Sequence, residues 1–246
     1  MPILLSLYFA ACFSMRLPVR ETALAAQDCM LYYIVNADGM KGLGHSIVMV
    51  VDEEGCGTVL SYNGMQRTLL ESLLGKSGIG KMSIGTMAAE ETDAFLWSGN
   101  LCLDGNQLTD NYDVALYRPI TAEEYDTVLE QAALYLAAGE QFAVLYGKWV
   151  MEEDADKKAE YKQKLEQMGQ GDDLPVYQIY TNNCDHVARL LASSVDSEMQ
   201  DYIKHNWHIT PNGNLKVFGI RAQNWGTMTL GEQTLSERIL MFLMIF

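Results

Sequence analysis

The sequence predicts an α+β fold: an antiparallel sheet packed against a few helices. Three observations carry that expectation. Strand-like segments come first along the chain and helical ones follow, instead of alternating one by one as a parallel doubly wound sheet requires. Two β-rich runs, residues 45–51 and 58–63, flank the turn sequence Asp52-Glu53-Glu54-Gly55 and so read as a hairpin. A capping box at Thr121-Ala122-Glu123-Glu124 and an amphipathic run beginning at Cys184 mark helices that supply the second layer.

Taken in order, residues 30–35 (Leu31, Tyr32, Tyr33, Ile34 and Val35 among them) form a buried strand, broken by Asn36-Ala37-Asp38-Gly39. Lys41-Gly42-Leu43-Gly44 is a glycine-rich loop, and residues 45–51 and 58–63 are the hairpin strands. Residues 64–87 are rich in Gly, Ser and Leu and show no clear period, while residues 113–118 return to a strand pattern. Thr121 caps a helix that runs through about Ala138 and ends near Gly139. Residues 142–149 read either as a strand or as the start of a helix, and the charged residues 151–168 as a solvent-facing helix. Residues 169–175 are a loop leading into the cysteine segment. After the cysteine helix, residues 205–213 read as a long turn-rich loop. The apolar residues 239–246 are too short for a membrane span and suit a packed terminal strand or helix end. Neither repeats nor a linker divide the chain, so residues 27–246 read as one domain, with residues 64–171 as an insertion.

The chain has 246 residues, 49% of them hydrophobic, which is an ordinary globular share. Its 32 acidic and 17 basic residues leave a net charge of −15. That excludes nucleic acid as an expected partner, because binding it rests on Lys and Arg neutralising phosphates. An anionic membrane surface is disfavoured for the same reason, and a neutral or cationic substrate is favoured. The five cysteines (Cys12, Cys29, Cys56, Cys102, Cys184) contain no CxxC pair and no regular spacing, so neither a zinc site nor a disulfide framework is expected. At the N-terminus, residues 2–15 are largely apolar. They suit a leader within residues 1–26 of an exported chain: Phe9-Ala10-Ala11-Cys12 is similar to a lipoprotein cleavage site, and Ala23-Leu24-Ala25-Ala26 is an alternative cleavage region. A translation start at Met15 is the third reading.

The chemistry concentrates at Thr181-Asn182-Asn183-Cys184-Asp185-His186. Val187, Leu190, Leu191 and Val195 mark one face of a helix, with Asn182 or Asn183 as its cap. Cys184 then lies in the first turn, where free backbone N–H groups and the helix dipole favour a thiolate. The expectation is a nucleophilic thiol that ionises more easily than a free one. A base must come from His45, His186, His205 or His208. His186, two residues from Cys184 on the same helix, points to a different face. His205 and His208 lack a third ligand for a metal. His45 follows a glycine-rich loop and opens a strand, a rigid support next to open space. A third group should orient its imidazole. On the neighbouring strand Ser61 and Asn63 share a face, with Asn63 the better acceptor and Ser61 close behind.

Gly44-His45-Ser46 opening a strand, followed far downstream by Asn183-Cys184-Asp185-His186-Val187 opening a helix, resembles the circularly permuted branch of the papain-like cysteine hydrolases. That branch includes relatives of the NlpC-type cell-wall peptidases and of the lecithin:retinol acyltransferase group, whose nucleophile motif has the form Asn-Cys-Glu-His-Phe. His45 lies 139 residues before Cys184, the chain order of the permuted branch. Thr210-Pro211-Asn212 resembles a segment of uncharacterised bacterial members. The resemblance implies a permuted papain-like fold with the nucleophile at a helix N-terminus. It also implies Cys184 as nucleophile, His45 as base, and a third residue at Ser61 or Asn63, where the acyltransferase group usually has His. Gly44 and Asn183 would line the substrate and oxyanion side. The implied reaction is amide cleavage in a peptide or peptidoglycan stem peptide through a thioester, without metal or cofactor. Lipid acyl transfer on the same fold, and a binding module that keeps the fold without turnover, are the alternatives.

Overall fold

Runs of β-branched and aromatic residues build the first strands, and the helices close over them. The computed structural model describes residues 28–39, 44–65, 78–103, 106–168, 176–177, 182–205 and 210–231. The expected leader and the apolar residues 239–246 lie outside the described residues. The strands are β1 (Cys29–Asn36), β2 (His45–Val51), β3 (Gly57–Met65), β4 (Gly78–Met87), β5 (Asn100–Leu103), β6 (Asn106–Asn111), β7 (Val114–Ile120), β8 (Val176–Tyr177) and β9 (Gly226–Thr229). The helices are α1 (Ala89–Ser98), α2 (Ala122–Met151), α3 (Ala155–Met168), α4 (Cys184–Ser193), α5 (Ser197–His205) and α6 (Pro211–Arg221).

Among the described residues seven strands pair in the order β8-β4-β3-β2-β1-β7-β9, antiparallel throughout, and β5 and β6 form a separate two-stranded ribbon. The α+β class therefore holds. Strands β4 and β7, from the region read as an insertion, are integral to the sheet.

Side chains alternate across a sheet with period two, so each face has its own core. On one face Leu31, Tyr33, Val35, Val48, Val50, Leu60 and Tyr62 pack against Val128 and Ala132 of α2 and Val187, Ala188 and Leu191 of α4. On the other face Tyr32, Ile34, Ile47, Met49 and Val59 pack against Phe95 of α1, Leu101 and Tyr112. Both faces of the central strands are buried, so the register is strongly fixed: a one-residue slip would exchange the two cores.

Several expectations are corrected. The helix opened by the Thr121 capping box does not end near Gly139; it continues to Met151 and takes in residues 142–149. Burial of Val128, Ala132, Tyr135 and Phe142 along one side outweighs the roughly 1 kcal/mol that each of the internal glycines, Gly139 and Gly147, costs. The break falls at residues 152–154 instead, where Asp154 Oδ1 accepts the backbone N–H groups of Asp156 and Lys157 and starts α3. The turn-rich loop expected over residues 205–213 is also revised: His205 closes α5, and α6 begins at Pro211, capped by the Thr210 hydroxyl. A proline at the first helical position is a start signal, not a breaker. Strand β4 lies in the stretch without a clear period, because glycines replace part of its alternation. A Cβ at Gly80 would fall 1.8 Å from the Tyr62 hydroxyl, and one at Gly85 would fall 2.8 Å from Leu103.

Candidate functional site

Asn183, not Asn182, caps α4: its Oδ1 accepts the backbone N–H of His186 at 2.8 Å. This places Cys184 at the first helical residue, as its sequence context requires. Three donors converge on the sulfur: the backbone N–H of Ser46, the hydroxyl of Tyr177 and the backbone N–H of Asp185. The Tyr177 hydroxyl also accepts the backbone N–H of Cys184, so it binds both polar ends of that residue.

The thiol is nevertheless harder to ionise than a free one. Cys184 is 4% exposed, and burial pushes its pKa up from 9.0 to about 11, helped by the neighbouring Asp185 carboxylate and only partly opposed by the three donors. The expectation of an easily ionised thiol is thus overturned in this closed arrangement. Desolvation by burial outweighs the helix terminus. Tyr177 stacks on Tyr62 with ring centroids 6.0 Å apart, and Tyr62 packs edge-on against Tyr135 of α2. The pairing of β8 with β4 (Gly78 with Tyr177) brings the Tyr177 ring onto the backbone of Gly64, where a Cβ would come within 2.6 Å of it.

Asp185 is fully buried and anchors α4 to the sheet. Its Oδ1 accepts from the hydroxyls of Tyr33 and Ser46, and its Oδ2 from Arg189 Nε at 2.9 Å and from Asn214 Nδ2. Asn214 is held in turn by the Tyr202 hydroxyl at 2.9 Å, which ties α5 and α6 into the same cluster. Burial and the Asp185 carboxylate push the Tyr33 hydroxyl well above the ordinary tyrosine range, so it remains a donor. Ser46 has two uses: its side chain is fixed by Asp185 while its backbone N–H reaches the sulfur.

His45 opens β2 directly before Ser46, so its backbone adjoins the sulfur's donor. Its side chain follows the alternation of the strand onto the face of Ile47 and Met49. There its ring lies 6.3 Å from that of Tyr112, and Nε2 lies 3.5 Å from Ser61 Oγ. Asn63 is exposed and donates from Nδ2 to Ser61 Oγ at 2.9 Å. The structure thus brings His45, Ser61 and Asn63 together in one row, with Ser61 and not Asn63 facing the imidazole. It presents Ser46 rather than His45 toward α4. Gly44 has φ of +91°, and a Cβ there would meet Asn212 Oδ1 and Pro211 Cβ at 2.9 Å, so its missing side chain lets the start of α6 approach the backbone just ahead of β2. Asn212 Nδ2 donates to the carbonyl of Ala37 at 3.0 Å across the same junction.

Sequence reasoning missed Tyr177, Tyr33 and the Asp185 cluster. Tyr177 stands seven residues before Cys184 and Asp185 directly after it, but their contacts with Gly64, Ser46 and Asn214 come from pairings distant in sequence. His205 is exposed and bonds within its own helix to the Asp201 carbonyl at 3.0 Å, and His208 lies outside the described residues. Among the described residues, no group of three or more His, Cys, Asp or Glu could hold a metal ion, and no helix is long and apolar enough to cross a membrane. No protein-family model, curated protein or solved structure matches the chain.

Proposed function

We propose that the chain is a thiol-dependent hydrolase that cleaves an amide bond in a peptide or peptidoglycan stem peptide. The supporting observation is the convergence of the Ser46 N–H, Asp185 N–H and Tyr177 hydroxyl on a sulfur at a helix N-terminus, next to the strand that begins with His45. In this reading the fold is a permuted papain-like one, with base before nucleophile in the chain, and the protein is an exported bacterial cell-wall enzyme.

The arrangement described is then a closed, resting one. The Tyr177 hydroxyl occupies the Cys184 N–H that would otherwise serve a developing oxyanion. Substrate displaces Tyr177, exposes the sulfur and frees that donor. His45 takes the thiol proton only after the start of β2 rearranges, because in the closed arrangement its imidazole lies with Ser61 on the face opposite to the one that Ser46 presents to α4. The sulfur attacks the carbonyl carbon, the carbon–nitrogen bond breaks, and the amine leaves with the proton. Water then hydrolyses the thioester.

Purified protein incubated with muropeptides is expected to release product only when Cys184 is intact, and His45→Ala is expected to lower the rate at least about hundredfold, the usual size of a general-base effect. Product from phospholipid vesicles instead would assign lipid acyl chemistry to the same residues. A second reading, a binding module without turnover, is favoured by the burial of the sulfur and its raised pKa. It wins if neither substrate yields product and iodoacetamide labels Cys184 no faster than Cys29, Cys56 and Cys102.

A further inference from the structure

Helix α2 carries two rows of side chains with alternating spacings of three and four. One row, Val128, Ala132, Tyr135 and Phe142, is buried toward the sheet. The other, Leu134, Ala137, Gln141, Val144, Lys148 and Met151, is exposed along its whole length. Leu134 and Val144 are each 60% exposed, and Met151 is 83% exposed. A 3-4-3-4-3 row with large apolar residues at both ends and the centre is the seam by which one helix packs on another. Helix α3 does not cover it. It lies alongside, has no buried residue of its own, and leaves between the two helices a groove of about 770 Å³. Ala137, Gln141, Val144 and Lys148 line that groove together with Glu140 of α2 and Lys164 of α3.

We propose that the groove receives α2 of a second copy of the chain, running antiparallel about a two-fold axis between Gln141 and Val144. That register sets Leu134 against the partner's Met151, Gln141 against the partner's Val144, and Ala137 against the partner's Lys148. The small Ala137 leaves room for the lysine stem. Charge selects the antiparallel sense. Glu140 and Lys148 stand on opposite sides of the axis, so each Glu140 lies one helical turn from the partner's Lys148, and the pair forms twice. A parallel arrangement would set Lys148 against the partner's Lys148. In a chain of net charge −15, most faces repel their own copies, whereas the charged residues of this groove carry both signs.

Sedimentation equilibrium of the whole chain across a wide concentration range tests this independently of any catalytic activity. The expected result is a reversible monomer–dimer equilibrium. Val144→Glu should raise the dimer dissociation constant about tenfold or more while helix content by circular dichroism stays unchanged, since Val144 is exposed in the single chain. Lys148→Glu should weaken the dimer, and combining it with Glu140→Lys should restore it, which a merely structural role would not do. A single-chain mass at every concentration overturns the proposal. So does a dimer unaffected by Val144→Glu, or one that the double charge exchange fails to restore.

Discussion

The Tyr177 hydroxyl holds Cys184 at both of its polar ends, accepting from its backbone N–H and donating to its sulfur. Tyr177 belongs to a strand of two residues, β8, and its ring rests on Gly64 and Tyr62. A side chain on the edge of the sheet therefore acts directly on the sulfur and favours its thiolate.

Tyr177→Phe should keep the ring in place and remove the donor. A hydrogen bond to a charged group is worth roughly 1.5 kcal/mol, about one pKa unit, so the thiol should become still harder to ionise. At a fixed pH below the thiol's midpoint, iodoacetamide alkylation of Cys184, read by mass spectrometry, should slow about tenfold. An unchanged or faster rate would show that the hydroxyl does not stabilise the thiolate.

Gly64→Ala should act in the opposite direction without touching α4. The new methyl group collides with the Tyr177 ring, at 2.6 Å from its Cδ1, so the ring must leave its seat over the sulfur. Less burial lowers the thiol pKa and opens access, and alkylation of Cys184 should accelerate. If Gly64→Ala and the parent chain react equally, the tyrosine does not gate the sulfur.

Local signals were sufficient where local physics decides. The β-branched runs located β1, β2 and β3, the Thr121 box opened α2, and the asparagine pair before Cys184 supplied the cap of α4. Those features depend on residues within a turn of one another. The ionisation of Cys184 does not. A helix terminus lowers a thiol pKa and burial raises it, and the burial is a property of the folded packing that the residues around Cys184 do not announce. The facing of His45 was open for a related reason. Period two fixes which residues of β2 share a face, but only the pairing with α4 decides which face meets the cysteine, and there Ser46 bonds Asp185. Strand β4 was concealed because its glycines were chosen by the tyrosine and leucine side chains lying over them.

The Asp185 cluster should be the most sensitive polar position in the chain. Asp185→Asn keeps the shape but removes the charge, leaving Arg189, 5% exposed, as an uncompensated buried cation. Breaking one half of a buried ion pair costs about 3–5 kcal/mol, so urea denaturation should show a loss of that order. Replacing both partners, Asp185→Asn with Arg189→Met, should recover a large part of it, since most of the penalty is the stranded charge. A single-variant loss near zero would mean that Asp185 does not anchor α4.

Stability should fall on the alkaline side, with a sign fixed by the same buried groups. The Cys184 pKa is raised from 9.0 to about 11 in the folded chain, so between those values the unfolded chain has released a proton that the folded one retains. The unfolded state binds fewer protons there, and unfolding is favoured as pH rises. The contribution is fully present below pH 9 and is lost progressively toward pH 11, amounting to about 3 kcal/mol for a shift of this size. Burial acts the same way on Tyr202, pushed up to about 12, and raises Tyr33, Tyr62 and Tyr177 as well, which steepens the loss above pH 10. The unfolding free energy from denaturant titrations should therefore decline from pH 9 upward. Cys184→Ala should decline less steeply over the same interval, whatever its absolute stability, because the cavity it leaves does not depend on pH. Parallel slopes for the two proteins would mean that the sulfur ionises as easily in the folded chain as in the unfolded one, and the sealed site described above would be wrong.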